Sequence, residues 1–154
     1  MRCIWQREDV INQTAILARS HRHFTGRELL SGVAEGRELA RRIYEAPFVV
    51  VSHGTEKDPV LNYGNATALQ LWEMSWQEFT RTPSRLTAEA PLRDERARLL
   101  AAVTARGFID DYSGIRITRT GRRFHIARAT VWNLITSDGQ ACGQAAMFYD
   151  WRFL

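Results

Sequence analysis

Hydrophobic positions recur at two different periods along this chain, and the change of period divides it. Over residues 8–20, Val10, Ile11, Ala15, Ile16 and Leu17 fall on one side of a helix. A polar break follows at residues 20–24. Thr25-Gly26-Arg27-Glu28 then has the spacing of a capping box, in which two residues three apart satisfy each other's backbone donors. It predicts a second helix over residues 25–45, carrying Leu29, Leu30, Val33, Leu39, Ala40, Ile43 and Tyr44. Gly32 and Gly36 weaken that helix by about 1 kcal/mol each relative to alanine. Pro47 closes the helical region. The β-branched run Val49, Val50, Val51 behind Phe48 predicts a strand over 48–53, stopped by Gly54.

A second strand is expected over 60–63. Asn65 then stands just before the apolar run Ala66, Ala68, Leu69, Trp72, where an N-cap accepts from the first free amides of a helix. Ser75 with Glu78 is a further capping box and starts another short helix. Pro91 suits a helical first position, and Leu92, Leu99, Leu100 and Val103 continue a helix that Gly107 ends. Beyond Gly107 the period drops to two. Strands are expected over 108–118, 123–136 and 141–150, joined by turns at Thr120-Gly121 and Ser137-Asp138-Gly139. In the middle strand Phe124, Ile126, Trp132 and Leu134 share one parity, and Ala127, Ala129, Val131 and Ile135 the other. Both faces of the sheet must therefore be covered. The class is α+β, a five-stranded antiparallel sheet with the 65–105 helices on one face. The N-terminal helices lie on the other face or at a dimer interface. Residues 1–45 form the helical segment and 46–154 the sheet domain. Strand, asparagine cap, helix, capping box, helix resembles the opening of a PAS domain, a fold used mostly for sensing and docking.

Composition changes this picture little. The chain has 154 residues, 45% hydrophobic and 25% charged, as expected of one globular domain. No apolar run approaches the roughly 18 residues of a membrane span. The early charges in MRCIWQREDVINQ argue against a secretion signal. Cys3 and Cys142 follow no disulfide spacing and read as reduced thiols of a cytoplasmic protein. The net charge of +4 is spread through mixed runs such as Arg93, Asp94, Glu95, Arg96, Arg98, which read as a solvated helix face. Arg116, Arg119, Arg122 and Arg123 read as a hairpin tip, so nucleic-acid binding is not expected.

Several longer strings carry a more specific likeness. APFVVVSHG (46–54), NYGNA (62–66), PSRL (83–86), RGFIDDYSGIR (106–116) and GQAA (143–146) resemble the MEKHLA domain family, over nearly the whole chain. The resemblance implies a PAS-like fold in its stand-alone bacterial-type form, since no homeodomain or zipper heptad accompanies it. It supplies no catalytic residues.

The candidate chemistry agrees. His21 and His23 lie at i, i+2 with no ligand spacing around them, so no metal is expected. Asp110 and Asp111 would point to opposite faces of a strand. Ser84 has no nucleophile-elbow context. The chain is therefore not expected to be an enzyme. By resemblance to flavin-binding PAS domains, Ser84 occupies the place of their reactive cysteine, and Ile126 and Phe148 that of their flavin-holding amides. By resemblance to haem-binding PAS sensors, a histidine would stand in the 92–105 helix, which has none. No cofactor is expected. Tyr63, Trp72, Phe79, Phe108, Tyr112, Phe124, Trp132 and Phe148, with Asn133, are the candidate ligand-binding residues, and His53 and Ser84 are candidate polar groups. They line a cavity for a small apolar ligand, or they fill the core of an interaction module that binds a protein partner or its own copy.

Overall fold

The computed structural model describes residues 3–32, 34–89 and 93–154. Helix α1 runs over Glu8–Thr25, with Glu8 and Asp9 in its first turn, where acidic groups offset the helix dipole. It outlasts the expected stop at residue 20. The capping box at Thr25–Glu28 does not form. Gly26 adopts φ 72° and closes α1 by donating its N–H to the Arg22 carbonyl at 2.9 Å. The Thr25 hydroxyl turns back to donate to the His21 carbonyl at 2.7 Å and accepts the Arg27 N–H. A glycine free to take the left-handed conformation thus won over the box. The helix expected over 25–45 shrinks to α2, Gly36–Tyr44, because Gly32 and Gly36 both sit at positive φ.

Strands β1 (Val49–His53) and β2 (Leu61–Gly64) follow, then α3 (Ala66–Trp72), α4 (Trp76–Phe79), a 3-10 turn at Ser84–Thr87, and α5 (Arg93–Arg106). Asn65 caps α3 by accepting the Ala68 N–H at 3.1 Å. Both halves of the Ser75–Glu78 box are made. Pro91 and Leu92 lie outside the described residues. Then come β3 (Phe108–Ile117), β4 (Arg123–Ile135), β5 (Ala141–Phe148) and a short β6 (Asp150–Phe153). The antiparallel sheet has the order β2-β1-β5-β4-β3, and β6 takes over the edge of β4 where β5 leaves it.

One detail of β4 decides which side chains meet. Arg128 adopts φ 56°, and between the pairs Ile126–Gly114 and Ala129–Tyr112 two residues of β4 oppose one of β3. This bulge reverses the alternation. Phe124 and Ile126 before it share a face with Ala129 after it, in one cluster with Val49, Trp72, Phe79 and Phe148. Trp132 and Leu134 turn to the other face and pack with Val10, Leu17, Phe48 and Val50. Strict parity had joined Phe124 and Ile126 to Trp132 and Leu134, and the bulge corrects that grouping. Helix α1 is tied to this second face by the Trp132 indole N–H donated to the Leu17 carbonyl at 3.3 Å. The Ser20 hydroxyl also accepts the Ile135 N–H, at 3.0 Å. The chain's own helix covers the outer face.

Candidate functional site

Between the sheet and the α3–α5 layer lies a cavity of about 70 Å³. The sheet supplies Val51, Ile126, Ala129, Val131 and Phe148, and the helical side supplies Trp72, Phe79, Leu99 and Leu100. Small residues make this space. Ala145 and Ala146 lie along β5, and Gly143 allows β5 to approach β1, since a Cβ there would stand 2.1 Å from the His53 carbonyl oxygen. The Gln144 amide braces α5 over the cavity, donating at 3.0 Å to the Leu100 carbonyl and the Thr104 hydroxyl.

The polar groups of the wall are unusual for so apolar a space. Arg96 of α5 and Arg116 of β3 are each only 9% exposed. Arg96 donates to the hydroxyl of Ser84, held on the 3-10 turn by its own N–H to the Pro59 carbonyl at 2.8 Å. Arg116 donates to its neighbour Ile115's carbonyl at 2.9 Å and lies over the Tyr112 ring, 5.4 Å from its centroid. Neither guanidinium is in an ion pair among the described residues. Burial first, and the charge of Arg116 second, press the Arg96 pKa down to about 10, so it stays cationic at neutral pH. Arg116 and Tyr112 also line an outer groove with Glu95 and His125, and so stand between the cavity and solvent.

His53 completes the wall. Its Nδ1 is 2.9 Å from the Gly54 carbonyl oxygen, which can only accept, so Nδ1 carries the proton. The lone pair of Nε2 is buried without a partner among the described residues, as is the indole N–H of Trp72. Burial pushes the His53 pKa below its ordinary 6.5, against the pull of the Gly54 bond. The folded state therefore disfavours the charged ring, and below pH 6.5 the unfolded chain binds more protons. That part of the stability is intact above pH 6.5 and is lost as the pH falls toward the folded pKa. His21, also lowered by burial, acts in the same direction. The unfolding free energy from urea denaturation is expected to drop between pH 7 and 5.5, by at most about 1.4 kcal/mol per pH unit for each histidine. His53→Phe should flatten part of that slope. A wild-type profile level over this window would count against the buried neutral ring.

A family model for the MEKHLA domain matches residues 11–153. The chain belongs to the MEKHLA family. No curated protein matches it. Among solved structures, a PAS domain of a protein from Colwellia psychrerythraea superposes with a TM-score of 0.60 at 13% identity, over 75% of this chain and 92% of that one. An RNA-binding light-oxygen-voltage receptor gives 0.60 at 14% identity, over 73% of this chain and 31% of the receptor. The PAS domain of a LuxR-family transcriptional regulator from Burkholderia thailandensis, solved in complex with ethanol, gives 0.54 at 17% identity, over 74% and 95%. At these identities the likeness is one of fold, and the fold is PAS-like.

In this MEKHLA domain the residues singled out from sequence divide between the two faces. Trp72, Phe79, Tyr112 and Phe148 line the cavity together with His53 and Ser84. Phe124 stacks edge-on against Trp72, 5.3 Å between centroids, behind the wall. Tyr63, Trp132 and Phe108 belong to the cluster under α1. The Asn133 amide is occupied, donating to the Val103 carbonyl at 3.0 Å and accepting from Gln144. Sequence reasoning missed Arg96 and Arg116. Read locally, Arg96 belongs to a solvated helix face and Arg116 to a hairpin tip. A signal was present for the first: 96, 99, 100 and 103 form one i, i+3, i+4, i+7 stripe. Arg116 shares parity with the cavity residue Tyr112. No group of three or more metal-ligating side chains occurs among the described residues. None of the described helices is long and apolar enough to cross a membrane.

Proposed function

We propose that this MEKHLA domain is a non-catalytic sensing module that binds a small molecule between the sheet and α5 and reports its presence to a protein partner. The observation that carries this reading is the cavity itself, apolar over most of its wall and lined by two residues with unpartnered buried polar atoms. In a natural core such space is normally filled. The ethanol complex of the Burkholderia thailandensis regulator supports it, because a PAS domain there holds a molecule of small size. Residues 46–154 form the sensing unit and 1–45 its cover. Arg96, not a base, is the partner of the Ser84 hydroxyl, and the described Asp110 and Asp111 are exposed, which favours binding over catalysis. The apolar face that suggested pairing with a second copy is covered by α1, so the reading rests on the ligand.

Native mass spectrometry of the full chain, before and after denaturation, is the test. A small added mass that denaturation releases is expected, with no visible absorption from flavin or haem. The bare chain mass, together with no thermal shift from a panel of small metabolites, would return the domain to a purely structural interaction module.

A further inference from the structure

Arg96 and Arg116 approach the cavity from opposite layers, one from α5 and one from β3, and both are buried. Burying one guanidinium without an anion is costly, and placing a second beside it adds repulsion. Among the described residues no carboxylate pairs directly with either one, and the charge of Asp58 reaches Arg96 only from a distance. Asp58 is paired with Arg85 at 3.1 Å, Glu56 accepts the Val60 N–H at 3.2 Å, and Glu95 lines only the outer groove. Their partners among the described residues are neutral and few: a serine hydroxyl, a carbonyl and an aromatic face. Each guanidinium has several N–H donors left over. Beside them, Trp72 brings an unpartnered N–H donor and His53 an unpartnered acceptor.

We infer that the ligand of this cavity is a small organic acid, its carboxylate held between Arg96 and Arg116 and its short apolar body against Ile126, Val131 and Phe148. The inference rests on the ligand-binding reading above and names the ligand class. A carboxylate suits the planar donor forks of arginine and supplies the missing charge. The acceptor at His53 suits a ligand that also carries a hydroxyl. A free phosphate fits less well, because its oxygens on the apolar side would lose their hydration with nothing to replace it. The volume of about 70 Å³ limits the ligand to a few non-hydrogen atoms, well below the roughly 300–1,000 Å³ of drug-sized sites. The depressed pKa of Arg96 fits a cation waiting for its counter-charge.

The test is thermal unfolding of the full chain against acetate, propionate, lactate, propionamide, 1-propanol and inorganic phosphate, at fixed ionic strength and pH 7.5. A saturable rise in melting temperature with one or more of the three acids, and none with propionamide, is expected. Arg96→Gln and Arg116→Gln should each weaken that acid by ~10-fold or more, the loss of a charge-assisted contact. Arg96→Met should raise the melting temperature of the ligand-free protein, because it removes an unanswered buried charge. If propionamide or 1-propanol stabilises as well as the acids, the cavity binds small molecules and the acid assignment falls alone. A response to phosphate without one to the acids overturns it too. No response to any probe, with Arg96→Met lowering the melting temperature, removes both readings. Should the arginine variants misfold, the contrast between propionate and propionamide on the wild type decides.

Discussion

Replacing Asn65 by alanine is expected to destabilise the domain by about 3–5 kcal/mol, well beyond the 0.5–2 kcal/mol of an ordinary lost N-cap. The side chain is fully buried and makes four hydrogen bonds. Its Oδ1 accepts from Ala68 N–H at 3.1 Å, as a cap should, and from Val50 N–H at 3.2 Å. Its Nδ2 donates to the Phe48 carbonyl at 2.8 Å and the Ile43 carbonyl at 3.1 Å. One amide thus joins the end of α2, the start of β1 and the start of α3. Alanine removes this partner from the Val50 and Ala68 N–H groups and the Phe48 carbonyl, each costing about 1–3 kcal/mol before relaxation, while the Ile43 carbonyl keeps the Ala46 N–H. Asn65→Asp separates the two roles. Aspartate is as good an N-cap as asparagine, but it cannot donate, and it faces two carbonyl oxygens. Urea denaturation should find Asn65→Asp as damaging as Asn65→Ala. An aspartate variant near wild-type stability would reduce Asn65 to a cap.

Deleting residues 1–45 is expected to leave a chain that aggregates or binds a hydrophobic dye. Helix α1 lays Val10 and Leu17 over Trp132 and Leu134, all four almost fully buried. An indole of that size contributes roughly 150–250 Å² of burial. The deletion also removes the partners of the Trp132 N–H and of the Ile135 N–H, and the Ile43 carbonyl that Asn65 serves. An exposed patch of this kind invites association. Light scattering and dye fluorescence on residues 46–154 would show it. A fragment that stays soluble, monomeric and as stable as the full chain would make the N-terminal helices an appendage.

Much of this fold could be read locally. Asn65 before an apolar run, the Ser75–Glu78 box and Gly107 after α5 all act within a few residues of themselves, and each does what its chemistry predicts. The period-two segments locate the last strands to within a few residues, because alternation is a property of the strand itself. The family strings pointed to the same PAS-like fold. Where two local signals competed, only the tertiary structure chose. Gly26 as a helix stop defeated Thr25–Glu28 as a helix start, with Leu29 buried from an irregular segment where the apolar pattern predicts a helix.

The cavity depended still more on distant contacts. A single positive φ at Arg128 decided that Trp132 meets α1 while Ile126 meets the cavity, and a bulge leaves no trace in the alternation that it breaks. Arg96 and Arg116 each look like surface cations within their own neighbourhoods. Their burial arises only when α5 closes over β3, twenty positions apart in sequence, because burial and the lack of a counter-charge are properties of packing and not of either local segment. By itself the sequence determined most of the elements, their order and the need to cover both faces of the sheet, since these follow from short-range periodicity and capping. The tertiary structure alone decided which face each aromatic joins and that two arginines share one apolar cavity, since both depend on register and on layers brought together by folding.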